Sequence, residues 1–375
     1  GRRLHVVDLH SIRRRRPGRR GLLRMLGMLA GSTRPPGVSH EDQVEFLRAF
    51  LARWQGSPGA SEGTLARWAG RVKAAQEGLR RRHLRSRTRR CVVRSTMFTI
   101  EKAGGFLVHR RRDFSTEAAL DAVRMHAAAV AGEAHDASVL HRGRRAVVTV
   151  CPCDAVPPFG VSRPAPAAQV GPGRVCVKSF RRESWAARFK DALRLRSRAR
   201  AAWVAAHGFG VRGIPAARPL ALLESRTKLS GAPDYLITEA LDNDGTLGEL
   251  AAGGLPAGAR RCQLGKAVAA LLDLLARGEV YHPDTKPSNL LVKEGDGRFR
   301  LWLVDLDRVK FASPWTRNRW AKCLARLNAG LPATVTLLDR MRCLRGCGRG
   351  RWSGGERLLI ARQCRALSLK RRTAW

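Results

Sequence analysis

Residues 281–292 read Tyr-His-Pro-Asp-Thr-Lys-Pro-Ser-Asn-Leu-Leu-Val, and after a glycine-containing break residues 301–311 read Leu-Trp-Leu-Val-Asp-Leu-Asp-Arg-Val-Lys-Phe. The first stretch is an H-x-D-x-K-x-x-N loop. The second is an apolar strand ending at Asp305, sixteen residues beyond Asn289. Phosphoryl transfer needs this set of groups. One carboxylate, here Asp284, accepts or orients the proton of an attacking hydroxyl. An amide oxygen (Asn289) and a second carboxylate (Asp305) hold Mg²⁺ against the phosphates of ATP. Turn chemistry alone would explain an Asp and an Asn ahead of Leu-Leu-Val, but not His282, Lys286 and Asp305 together.

Upstream of this loop the pattern predicts short strands over Met97–Ile100, Phe106–His109 and Arg145–Val150, with a helix over 116–132. Gly173–Phe180 reads as a strand with Lys178 near its end, 182–207 as a long basic helix, and Ala217–Glu224 and Tyr235–Glu239 as strands. Residues 154–173, rich in Pro, Ala and Gly, read as a surface loop. Residues 258–277 place Leu264, Val268, Leu271, Leu272 and Leu275 on one side of a helix that leads into the 281–292 loop.

The 375 residues carry 71 Lys and Arg against 30 Asp and Glu, a net charge of +41. Abundant Arg, Ala, Gly and Leu suggest a GC-rich coding sequence, so part of this basicity is compositional. A field this positive still favours an anionic partner. The clusters at 13–20 and 80–94 hold almost no aromatic side chains, which argues against stacking on nucleic-acid bases. No apolar run is long enough to span a bilayer. Nine cysteines are scattered without the paired spacing and nearby His of a zinc site, the pattern of reduced thiols.

The chain also resembles itself. Residues 4–13 (Leu-His-Val-Val-Asp-Leu-His-Ser-Ile-Arg) match 301–310 at four of ten positions. Residues 1–55 are therefore expected to be the C-terminal remnant of a first module. Residues 56–95 follow as a basic helical connector, and Ser39-x-x-Asp42 marks a helix start.

The order of elements resembles the protein-kinase-like fold, and in detail the lipopolysaccharide core (Kdo/WaaP-type) kinase family. Val304-Asp-Leu-Asp-Arg-Val309, Ser197-Arg-Ala-Arg200, Gly213-Ile-Pro-x-x-Arg-Pro-Leu220 and the 98–114 segment carry the resemblance. It implies an α+β, bilobal fold: a small β-rich N-lobe over 96–241 and a larger helical C-lobe over 242–375, preceded by the partial C-lobe of a second kinase-like module. By position, Lys178 would bind the α- and β-phosphates of ATP, Asp284 would be the base, and Asn289 and Asp305 would bind Mg²⁺. Lys286 would neutralise charge on the γ-phosphate, and His282 would pack the loop. The hinge Thr238–Leu241, with Glu239 and Leu241, would contact adenine through its backbone. Gly143 is the one glycine of a poor phosphate-covering loop near 141–150. Ala202 stands where the family would place a glutamate to pair with Lys178, and Glu183 is the nearest upstream glutamate.

The resemblance therefore implies an ATP-dependent kinase acting on a sugar hydroxyl of lipopolysaccharide core or a related glycolipid. Such an enzyme would be cytoplasmic, with peripheral contact at the anionic inner face of the cytoplasmic membrane. Two alternatives stay open: a Ser/Thr protein kinase, and a weak or inactive pseudokinase serving as a basic binding module. The absence of an A-P-E motif after Asp305 argues against a regulated protein kinase.

Overall fold

The computed structural model describes residues 18–32, 39–55, 61–155, 173–181, 197–227, 231–348 and 351–370. The expected strand within 4–13, most of the expected loop 154–173, and residues 182–196 with Glu183 lie outside the described residues. The chain divides into two compact units, Gly1–Ser86 and Arg87–Trp375.

The first unit holds helices α1 (Arg19–Ser32), α2 (His40–Gln55) and α3 (Glu62–Arg89), the last three residues of α3 belonging to the second unit. The Ser39 and Asp42 side chains each accept from the other's backbone N–H, which caps α2 at its expected start. Leu22 and Leu26 of α1, Leu47 and Leu51 of α2, and Leu65 and Trp68 of α3 share one core. A Cβ on Gly27 would lie 2.9 Å from the Gln76 backbone nitrogen, so the close approach of α1 to α3 requires glycine there.

The second unit is mixed helix and sheet. Strands β1 (Phe98–Ala103), β2 (Phe106–Arg111), β3 (Ser138–Arg142), β4 (Ala146–Pro152), β5 (Arg174–Phe180), β6 (Pro219–Ser225) and β7 (Asp234–Glu239) form one sheet in the order β1-β2-β6-β7-β5-β4-β3. Every pairing in it is antiparallel. All seven residues of β6 are buried because both faces of the sheet are covered. On one face, helix α4 (Thr116–Ala131) packs Ala118, Ala119 and Ala122 against Val175, Val177, Leu223 and Ile237. On the other, helix α5 (Arg198–Val211) packs Ala199, Ala202 and Trp203 against Phe98, Phe180, Leu222 and Leu236. Alternation along β5 thus sends Val175 and Val177 to α4, and Lys178 and Phe180 to α5.

Helix α5 also contributes Ala205, Ala206 and Phe209 to the larger helical core. It is apolar nearly all round, as a helix buried on two sides must be. That core gathers α6 (Leu247–Gly253), α7 (Gly258–Arg277), α8 (Arg317–Ala329), α9 (Leu337–Gly346) and α10 (Gly354–Leu369) around a hairpin of β8 (Leu290–Gly295) and β9 (Arg298–Leu303). Helix α7 keeps its expected bounds and buries all five of the expected leucines and valine. All nine cysteines are free thiols.

Between sheet and α4, His126 is buried, with Nδ1 2.8 Å from Thr149 Oγ1. Burial, helped by the Arg181 charge, pushes its pKa down to about 4. The folded state then binds the proton less well than the unfolded chain, whose His titrates near ~6.5. This contribution is present above that value and is lost as pH falls toward 4. Urea unfolding of the wild type and of His126→Gln at pH 7 and pH 4.5 measures it. The wild type is expected to lose about 2–3 kcal/mol more than the variant over that interval, and equal losses would refute it.

Candidate active site

The β8–β9 hairpin turns at Asp296-Gly297, both with positive φ (53° and 68°), as a two-residue primed turn requires. Its register pairs Leu290 with Leu303, so the residues flanking the hairpin meet at its open end. There the Val304 N–H donates to the Asn289 carbonyl at 3.0 Å. Residues sixteen apart in sequence, Asn289 and Asp305, are thereby brought to one edge. Asp305 has φ 60° and ψ 54°, the left-handed region, and opens the turn Leu306–Arg308.

The loop ahead of β8 is fixed by buried contacts. His282 is 0% exposed, accepts at Nδ1 from the Asp284 N–H (3.1 Å) and donates from Nε2 to the Val304 carbonyl (3.3 Å). Burial depresses its pKa, so it is a neutral imidazole protonated at Nε2 that ties loop to strand end. Thr285 packs Oγ1 3.0 Å from Cys323 Sγ of α8. Asn289 Nδ2 donates to the Asp284 backbone oxygen (2.9 Å) and to Asp284 Oδ2 (3.2 Å). Its Oδ1 accepts no hydrogen bond from the described residues, and so faces outward as an oxygen donor. Lys286 Nζ lies 3.6 Å from Asp284 Oδ2.

Lys178 reaches across from β5 and donates to Asp305 Oδ1 at 2.5 Å. Their side chains are 20% and 34% exposed. Burial alone would raise the Asp305 carboxyl, but the Lys178 ammonium outweighs it and holds the group below the usual carboxylate value. The ring of Phe180 lies 5.1 Å from Lys178 Nζ and 5.6 Å from the Arg198 guanidinium. Arg198, at the start of α5, donates to Asp307 Oδ2 at 2.6 Å. Asp307 is 2% exposed, and its Oδ1 is buried without a partner among the described residues. No residue of α5 is acidic, and Ala202 is buried among Trp203, Phe98 and Phe180. Among the described residues the carboxylate that pairs with Lys178 is Asp305, and α5 is tied to the same turn through Arg198.

The other expected positions are held by local contacts of their own. Glu239 is buried at the end of β7, its carboxylate taken by the Arg218 backbone N–H (3.0 Å) and guanidinium (3.1 Å). The Leu241 carbonyl accepts from Asn243 at 2.8 Å, while its N–H has no partner among the described residues. Gly143 sits in the β3–β4 turn, donating to the Ala146 carbonyl at 3.0 Å. An apolar cavity of about 260 Å³, lined by Leu264, Val268, Leu324, Leu327 and Leu344, contains none of these residues. The sequence reading assigned no role to Arg198 or Asp307. Both lie inside stretches it singled out, but nothing in the spacing pairs residues 109 apart.

The left-handed backbone at Asp305 separates two substitutions that remove the same charge. Asn tolerates this region, whereas Ala costs roughly 1–2 kcal/mol there. Asp305→Ala is expected to unfold about 1 kcal/mol more readily than Asp305→Asn. Equal unfolding midpoints would show that the backbone relaxes without cost.

Residues 168–333 match the family described as "Lipopolysaccharide kinase (Kdo/WaaP) family". Every expected site residue except Gly143 lies inside that stretch. Among curated proteins no match is found. A solved structure, WaaP in complex with acyl carrier protein, is similar with a TM-score of 0.40 and 19% identity, over 61% of this chain and 88% of that one. The match of residues 168–333 to this family bears out the resemblance read from the sequence.

Proposed function

We propose that the chain is an ATP- and Mg²⁺-dependent kinase that phosphorylates a sugar hydroxyl of lipopolysaccharide core or a related anionic glycolipid. The observation that carries this reading is the convergence of Lys178, Asp284, Asn289 and Asp305 in one hydrogen-bonded edge. In the bilobal arrangement this implies, the seven-stranded sheet would be the nucleotide-side lobe and the helical core the acceptor-side lobe. A small basic module would precede them.

The donor set suits a hard divalent cation. Asp305 and the outward Oδ1 of Asn289 offer oxygens, while no cluster of three or more His, Cys, Asp or Glu among the described residues forms a protein cage. Mg²⁺ is held in this way, by one or two protein oxygens with phosphates and water completing the shell. When bound, Mg²⁺ neutralises charge on the phosphate oxygens. Asp284 takes the proton of the acceptor hydroxyl as its oxygen bonds to the γ-phosphorus, and the bond from that phosphorus to the leaving ADP oxygen breaks. Lys286, beside Asp284, offsets negative charge on the transferring group. Lys178 is held in place for the phosphates by Asp305 and Phe180, and the Leu241 N–H is available to an adenine nitrogen. The +41 charge supports acidic acceptors and anionic headgroups, and with them a peripheral site of action at the inner face of the cytoplasmic membrane. No helix among the described residues is long and apolar enough to cross it.

Two substitutions separate binding from chemistry. Asp284→Asn is expected to keep Mg·ATP binding by calorimetry while lipopolysaccharide-stimulated ADP release drops about 10²–10⁴-fold. Asp305→Asn is expected to lose the Mg²⁺-dependent part of binding. An Asp284→Asn protein that turns over like the wild type would overturn this assignment and leave the binding-module reading.

A further inference from the structure

One residue before Asp284, Pro283 forms part of the wall of a half-open cleft of about 300 Å³. Tyr281, Lys310, Lys322 and Arg326 line it as well. Its geometry is fixed by backbone. Tyr281 and Lys310 exchange both N–H···O bonds, at 2.8 and 2.9 Å, which holds Lys310 against the start of the loop. Lys322 and Arg326 stand one helical turn apart on α8, and Arg326 reaches the Tyr281 hydroxyl at 3.4 Å.

None of these three cations has a carboxylate partner among the described residues. Elsewhere in the second unit, arginines close to the core do: Arg198 with Asp307, Arg200 with Glu224, Arg218 with Glu239, Arg261 with Asp339. Like charges one turn apart oppose helix formation by a few tenths of a kcal/mol. Three cations without a carboxylate partner, around a concave space whose wall is half polar and half apolar, make a seat for an anionic group. Pro283, in its wall, is the chain neighbour of Asp284, so the cleft adjoins the loop that carries the proposed base.

We infer that this cleft binds an anionic substituent, a phosphate or a sugar-acid carboxylate, of the molecule whose hydroxyl is phosphorylated. The inference rests on the kinase reading above and deepens it. Lys310, Lys322 and Arg326 hold the acceptor by its charge, and the Tyr281 hydroxyl adds a donor to the same space. Neutral sugars then lack the contact that places their hydroxyl at Asp284.

The test measures binding and phosphate transfer with purified lipopolysaccharide in detergent, native, dephosphorylated with hydrofluoric acid, or carboxyl-reduced. The proteins are the wild type, Lys322→Gln/Arg326→Gln, Lys310→Gln as a milder variant, and Arg71→Gln/Lys73→Gln as a charge-matched control on α3. Circular dichroism and unfolding midpoints show that each is folded. Wild-type affinity is expected to drop at least tenfold on removal of whichever anion the cleft holds, which tells phosphate from carboxylate. The cleft variants are expected to bind native material that weakly and to lose little more when the anion is removed. The control keeps the wild-type preference. Cleft variants with wild-type discrimination, or a wild type that binds all three preparations alike, overturn the inference. Transfer by a wild type whose binding ignores the cleft would sink the seat and leave the kinase. Anion-dependent binding lost in the variants, with no transfer by any protein, would keep the seat and sink the kinase reading.

Discussion

The contact on which the site depends is the 2.5 Å pair between Lys178 on β5 and Asp305 beyond β9. It is the direct link between a strand of the seven-stranded sheet and the turn that follows the hairpin. Partly exposed as both groups are, such a pair contributes on the order of 1 kcal/mol or less to stability. Its consequence is orientation. A lysine with four rotatable bonds is held at one place, and a carboxylate that burial would neutralise stays ionised. Both bear on the orientation of the site far more than on fold stability.

Around that pair the described residues of the helix contribute a cation, not an acid. Helix α5 has no acid to offer Lys178, and the position expected to carry one, Ala202, is core between Trp203 and the sheet. The helix is instead tied by Arg198 to Asp307, two residues past Asp305, with Phe180 between the two cations. Because α5 belongs to both the sheet core and the helical core, its first turn transmits the sheet's position to the Asp305 turn. Farther along the sheet, Glu224 is buried with His109, Arg200 and Ser197. Burial would raise that carboxyl, yet His109 and Arg200 hold it at about 2, which fixes the same helix from its outer side.

What was legible in the sequence was local. The Asp-Gly turn, the short apolar runs on either side of it and the H-x-D-x-K-x-x-N spacing are compatible with a hairpin that has Asn289 and Asp305 at one end, because register follows from turn length. The leucine spacing of 258–277 dictates a one-faced helix, and its observed bounds agree. Strand β3 was missed: its five residues are all exposed and show no alternation to detect. A partner for Lys178 was sought on a helix, as the family pattern implies, while the one among the described residues lies 127 residues downstream. The basic cleft was invisible for the same reason, since Tyr281, Lys310 and Lys322 meet only once the chain is folded. Net charge announced an anionic partner without saying where it would sit.

The most direct test of the central claim is transfer of labelled γ-phosphate from Mg·ATP to purified lipopolysaccharide core, with a generic protein acceptor in parallel. The account predicts label in the glycolipid, released as a sugar phosphomonoester and absent with Asp284→Asn. Label found only in protein, or none in either while Mg·ATP still binds, would contradict it.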